Sequence, residues 1–238
     1  MNAFENLNFV KGVKELLPKL LGNAIQIVIL TTVLSFLFAL VFGFILALGK
    51  ISKHKALNRV ITVFQELIRG TPLLVQMVYM YYVVPLIIEI IGKAMINSSY
   101  SFTMDAAKAG ILALGINYGT YISEVIRSAI ISIDRGQTEA ALALGFSPMQ
   151  SMFRIVVPQA VKSSIPVFGN YLVMMVKDTS LMAYITVPEF LMTTQAYTAQ
   201  TFLTIESYTI LAAVYLVICI PMAFLIKHME RKFNKKRV

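Results

Sequence analysis

Five stretches of this chain stay apolar for about the length a helix needs to cross a lipid bilayer, roughly 20 residues. They cover residues 23–48, 60–91, 106–133, 165–190 and 205–226. A chain that buries this much apolar length has few folds open to it. In hydrocarbon every backbone N–H and C=O must be satisfied internally, which leaves helices or a closed barrel, and runs of this length point to helices. Composition agrees: 58% of the 238 residues are hydrophobic and 14% are charged, where a soluble domain carries about a quarter charged residues. The expected class is an all-α integral membrane protein with about five transmembrane helices. The second and third stretches exceed the minimum and have room to tilt or to project beyond the bilayer.

The formal charge of +9 would suggest nucleic acid as the partner of a soluble protein. Here the cations cluster between spans, so topology accounts for them and no nucleic-acid partner is expected. Lys50, Lys53, Lys55 and Arg59 lie in the first connection, and Arg135, Arg154 and Lys162 in the third, with Arg127 just inside the preceding helix. The tail adds Lys227, Arg231, Lys232, Lys235, Lys236 and Arg237. The other side carries Lys11, Lys14, Lys19, Lys93 and Lys108. The positive-inside rule then places the N-terminus outside and the C-terminus in the cytoplasm of a multi-pass protein of the cell membrane. The expected parts are an amphipathic N-terminal segment (1–19), a transmembrane domain (20–228) and a basic cytoplasmic tail (229–238). Residues 1–19 space Phe9, Val10, Val13, Leu16 and Leu20 as a helix lying on the membrane surface would, with lysines opposite. No cleavable leader is evident, and the single Cys219 reads as a small packing residue.

One connection does not read as a loop. "QTEAALALGFSP" (137–148) is alanine-rich, with Thr138 able to cap a helix and Glu139 suited to its first turn. Gly145 can take the left-handed closing conformation, and Ser147-Pro148 starts the next helix. So short a helix is not stable alone in water; at about 138–145 it is either a docking element, which explains both its length and its small residues, or an interfacial helix packed on its own chain.

Intramembrane charge normally faces a cavity or a partner. Lys177, Asp178, Thr179 and Ser180 fall near the middle of the fourth stretch, either lining a transport path or forming an ion pair that fixes packing. Glu124 stands three residues from Arg127, so it is either a ligand for a substrate ammonium or a partner for that arginine. Glu66 and Arg69, also three apart, read as a structural pair ahead of a kink at Gly70-Thr71-Pro72, and Gln76 reads as a path-lining residue. There is no phosphate-binding Gly-rich loop with its Lys-Ser/Thr end. His54 and His228 are isolated, and no metal-ligand or nucleophile cluster is present.

"EAALALGFSPMQSMFRIVVP" (139–158) resembles the EAA motif of ABC importer permeases, with Val157 where the motif has leucine. "RGTPLLVQ" (69–76), "YISEVIRSAIISIDRGQTEAALALG" (121–145) and "KDTSLMAYITVPE" (177–189) are similar to the polar amino acid branch of that family, and the likeness runs over about 20–228. The resemblance implies the type I importer permease fold and a role for Glu139, Ala140, Ala141 and Gly145 in coupling to an ATPase. It implies ABC ATPase subunits that carry ATP and Mg, a second permease chain (identical or paralogous) and an extracytoplasmic amino acid binding protein. The chain itself would carry no cofactor and no catalytic activity, and would move a polar amino acid by alternating access among membrane lipid. Two alternatives are an ion-coupled secondary transporter and a non-transport membrane scaffold.

Overall fold

A computed structural model describes residues 7–234, and helices dominate it. Helix α1 enters at Phe9 and runs to Ile51, 43 residues. At 1.5 Å per residue that is ~65 Å, about twice a bilayer's hydrocarbon thickness, and the chain bends at Gly22, whose backbone is non-helical (φ −89°, ψ −111°). Asn8 caps the start, accepting from the Lys11 N–H at 2.9 Å. The segment before the bend turns Leu16 and Leu20 fully into the protein, against Phe190, Tyr197 and Ile210. Phe9, Val10 and Val13 of the amphipathic segment 1–19 are exposed; residues 1–6 of it lie outside the described residues.

The second apolar stretch is not one helix, contrary to the span expected at 60–91. Helix α2 (Lys55–Arg69) ends at Gly70, and a fresh helix, α3 (Leu73–Met95), follows. Pro72 sits between them in extended conformation, because its ring removes a helical donor and blocks the preceding turn. Only α3 of this pair has the length and apolarity of a span.

Helix α4 (Ala106–Ile131) is the centre of the bundle: 13 of its 26 residues are buried. It packs most closely on α1. A Cβ on Gly43 would lie 2.8 Å from the Gly119 carbonyl oxygen, and one on Gly119 would lie 2.8 Å from a Phe42 ring carbon. Small residues here let the two backbones touch, as helices in lipid commonly do. By length and apolarity alone, three helices among the described residues qualify as spans: Phe9–Ile51, Leu73–Met95 and Thr204–Arg231. Helix α4 falls short in apolarity because its neighbours shield it, so Asn117, Thr120 and Ser123 can be buried there.

Helix α5 (Arg135–Ala143) follows α4 directly. A helical lead-in from Pro148 then runs into α6 (Val157–Asp178). The span expected at 165–190 therefore starts earlier and does not continue to its end. At Thr179 the helix tightens into a 3₁₀ stretch, Thr179–Ile185. It closes at Thr186, in the left-handed region at φ 65°. A short helix, α7 (Phe190–Thr201), comes next; nothing in the apolar pattern announced it. Glu189 caps it, accepting from the Leu191 and Met192 N–H groups at 2.8 and 2.9 Å. The last helix, α8 (Thr204–Asn234), carries Pro221 within it. Of the basic tail, 229–234 prolongs α8 and 235–238 lie outside the described residues.

Candidate functional site

The chain offers two places built for function, joined by α4. The first is α5. Its cap is Asp134, not Thr138: the Asp134 carboxylate accepts from the Gly136 N–H at 2.7 Å, so the helix begins three residues sooner than 138. At the other end Gly145 takes φ 84°. The Gly145 N–H donates to the Leu142 carbonyl at 3.0 Å and the Phe146 N–H to the Ala141 carbonyl at 3.1 Å. This is the paired closure that a left-handed residue permits. Ser147 and Gln150 cap the next turn reciprocally. Ala141 is buried against the chain itself, whereas Leu142 and Leu144 are 43% and 79% exposed. Glu139, Ala140 and Gly145 also face outward. The product is a short, doubly capped helix presenting small and apolar groups to the outside.

The second place is a polar cluster where α1, α2, α4 and α6 meet. Glu124 is held from two sides: Lys50 Nζ donates at 3.0 Å, and Arg127 binds the other carboxylate oxygen through Nε at 2.8 Å and through a terminal nitrogen. Lys50 also donates to Gln65 Oε1 at 2.8 Å, and Gln65 Nε2 donates to Ser123 Oγ at 2.5 Å. Gln65 is completely buried. Arg69 does not pair with Glu66, which is exposed. Its guanidinium donates to the Thr120 carbonyl and lies 5.1 Å from the Tyr121 ring centroid. Arg69, Tyr121, Glu124, Val125, Ser128 and Tyr171 line a cavity of ≈ 340 Å³.

Gln76 secures the break between α2 and α3. Its amide nitrogen donates to the carbonyls of Ile68 and Thr71, and its oxygen accepts from Asn117 at 3.0 Å. Beside it is a second cavity of ≈ 380 Å³, mostly apolar, lined by Ile68, Thr71, Tyr79 and Met80 among others.

Lys177 and Asp178 are sequence neighbours that part company. Asp178 accepts from the Tyr118 hydroxyl at 2.6 Å, whereas Lys177 is exposed. Thr179 is buried and bonds the Val176 carbonyl, and Ser180 is half-buried. Among the described residues the ion pairs are Lys50–Glu124, Arg127–Glu124 and Lys93–Glu89. The structure thus brings Glu124, Gln76 and Asp178 into contact with α4 residues and leaves Lys177 apart. Lys50, Gln65, Asn117 and Tyr118 belong to the cluster without having been singled out in the sequence. A lysine ending an apolar run and a glutamine inside an amphipathic helix give no local sign of their partners.

The model of a family described as "Binding-protein-dependent transport system inner membrane component" matches residues 39–235. The chain belongs to this family. It is 33% identical over 217 residues to the L-cystine transport system permease protein TcyB of Bacillus subtilis, covering 91% of this chain and 87% of that one. It is equally identical, over 197 residues, to the glutamine transport system permease protein GlnP of Escherichia coli K12, covering 83% and 80%. A crystal structure of an amino acid ABC transporter with histidines superposes at a TM-score of 0.80 with 30% identity, covering 95% of this chain and 99% of that one. The MetNI methionine transporter in inward-facing form shares the fold at a TM-score of 0.67 and 18% identity. The chain is therefore the permease subunit of an ABC importer with the type I importer fold, and its relatives are permeases rather than enzymes. Neither an ion-coupled secondary transporter nor a scaffold fits that membership.

Proposed function

We propose that this permease carries a polar amino acid into the cell, driven by ATP hydrolysis on separate subunits. The observation that carries the reading is the family membership over residues 39–235, joined to relatives that are named for cystine and glutamine transport. The geometry adds a mechanism. Helix α5 is the docking element: Glu139, Ala140 and Gly145 face outward and Ala141 anchors it to the chain. Two ATPase subunits, holding ATP and Mg, take one α5 each from two permease chains. Their closure pushes the paired α5 helices together and opens the cavity outward, toward a binding protein loaded with its amino acid. Release of phosphate returns the path to the cytoplasm. The charge count supports the side on which this happens, with the N-terminus outside and α5 and the tail inside. The path residues are Gln76, Glu124 and Asp178 with their partners, and Thr179 and Ser180 at the break after α6. Lys177, exposed and unpaired with Asp178, faces away from that pairing.

The test is reconstitution. Permease, ATPase and binding protein are placed in lipid vesicles with ATP on the side of α5, and uptake of labelled L-cystine, L-glutamine and L-histidine is followed. ATP-dependent uptake that requires the binding protein is expected. Uptake driven by an ion gradient without ATPase would overturn the reading.

A further inference from the structure

Among the described residues, Arg69 is the one cation of the polar cluster without a carboxylate. Lys50 and Arg127 share Glu124, and Glu66 faces away. One terminal nitrogen of Arg69 is committed to the Thr120 carbonyl, but Nε is buried with no acceptor. A guanidinium in the membrane region without a counter-ion is costly, and leaving one of its donors unsatisfied adds to that cost. Its position is nevertheless well defined. It ends α2 immediately before the Gly70–Pro72 break, is stacked on Tyr121 and lines the ≈ 340 Å³ cavity. Tyr171 forms another wall, its ring 6.2 Å from that of Tyr121 and 6.0 Å from that of Tyr118. Tyr118 in turn holds Asp178. A row of three tyrosines thus separates a guanidinium lacking an anion from a carboxylate.

We infer that Arg69 is the residue that receives the α-carboxylate of the transported amino acid in this cavity, and that the site favours neutral or acidic amino acids over cationic ones. The inference rests on the amino-acid reading given above. A guanidinium is the natural partner for a carboxylate, whose two oxygens match its planar fork. Glu124 already holds two cations, so it is a poor ligand for the substrate ammonium; Asp178, at the other end of the tyrosine row, carries no cation. Selectivity follows from charge. Arg69 and Glu124 are the charged residues lining the cavity, and Glu124 is already held by Lys50 and Arg127, so a second positive group on the substrate meets an unbalanced guanidinium while a carboxylate or amide side chain does not.

The experiment uses Arg69→Lys and Arg69→Met in the complete reconstituted complex, with uptake of L-glutamine and L-cystine normalised to complex recovered. Arg69→Met lowers uptake roughly ten- to a hundredfold, the weight of a charge-assisted hydrogen bond, and Arg69→Lys gives an intermediate loss because the charge remains and the fork does not. Selectivity is shared with the binding protein, so it is read without it. The thermal midpoint of the detergent-solubilised permease–ATPase complex rises in millimolar L-glutamine and not in L-arginine, and the rise is lost in Arg69→Met. Undiminished uptake in Arg69→Met overturns the inference. So does a loss of uptake that merely tracks lost complex and is fully restored by Arg69→Lys, because that marks a strap on Thr120. Stabilisation by L-arginine equal to that by L-glutamine overturns the selectivity. A wild-type complex that takes up neither labelled amino acid nor L-histidine defeats the amino-acid reading itself, and this inference with it.

Discussion

A single hydroxyl decides how Asp178 is held. The Tyr118 O–H is its hydrogen-bond donor at 2.6 Å, so Tyr118→Phe leaves a half-buried carboxylate without that partner. A bond to a charged group is worth about 1.5–3 kcal/mol, and a loss of stability of that order is expected in thermal unfolding of the solubilised protein. Asp178→Asn keeps the shape and the acceptor and should unfold near the wild-type midpoint while lowering uptake; equal destabilisation by both changes would make the carboxylate purely structural. Glu124 permits an internal comparison. Lys50→Met leaves Glu124 its Arg127, whereas Glu124→Gln leaves two cations facing each other. The second should reduce expression and thermal midpoint more than the first, and the reverse order would show that Lys50 serves Gln65 rather than Glu124. These partnerships set the limit of what the sequence shows. Spacing of three along one helix correctly pairs Glu124 with Arg127, yet the same spacing misleads for Glu66 and Arg69. Spacing fixes only that two side chains share a face; it cannot say that Thr120 and Tyr121 of another helix compete for the arginine. Lys177 and Asp178, adjacent in sequence, project in different directions for the same local reason that neighbouring helical residues never face each other.

Among the elements, α5 was the most legible and α7 the least. Alanines, a closing glycine and Ser-Pro are local signals, and the helix they predict is present, shifted at its start because Asp134 caps better than Thr138. Asp134→Ala should cost about 1 kcal/mol at that end, and Gly145→Val about 1–2 kcal/mol for a branched residue in left-handed backbone. Both should reduce the ATPase retained when the complex is purified and the stimulation of its ATP hydrolysis by loaded binding protein. Full retention and stimulation in both variants would remove α5 as the docking element. The break before α3 was readable from Pro72. The break after Asp178 was signalled only by the polar run Lys177–Ser180: Thr179–Ile185 contains no proline or glycine, and its turn rests on Thr186 in left-handed backbone and on Glu189 capping α7. Tertiary packing overrides the local preference there. Helix α4 was legible as the third apolar stretch, 106–133, although its buried Asn117, Thr120 and Ser123 make it less apolar than the spans at the bundle's edge.

For the whole molecule, orientation is the open arrangement that one labelling experiment decides. Cys219 is the only cysteine, so Cys219→Ser gives a blank background. Lys53→Cys, Ser98→Cys and Lys236→Cys, each placed alone, should differ: an impermeant thiol reagent applied to intact cells labels position 98 and neither of the others. Labelling at 53 or 236 inverts the arrangement and moves α5 to the wrong side for an ATPase. The contact of Gly43 with Gly119 bears on how such a molecule moves. Gly43→Val forces a side chain into a carbonyl, an overpacking worth about 1–3 kcal/mol, and a lower thermal midpoint with reduced uptake is expected. Because those two backbones touch, α4 and the part of α1 after Gly22 cannot slide along each other; they behave as one beam. Three residues connect that beam to α5, and the segment of α1 before Gly22 is tied to α8 through the Asn8 N–H and Glu206. A push on α5 is then not absorbed along the beam. Its travel is taken up at the joints, where the backbone leaves the helix: Gly22, the Thr71–Pro72 turn, and the stretch from Thr179 to Thr186. Two of those three joints border the residues assigned to the substrate path, so the places that yield under load are also places where a bound molecule is gripped or let go.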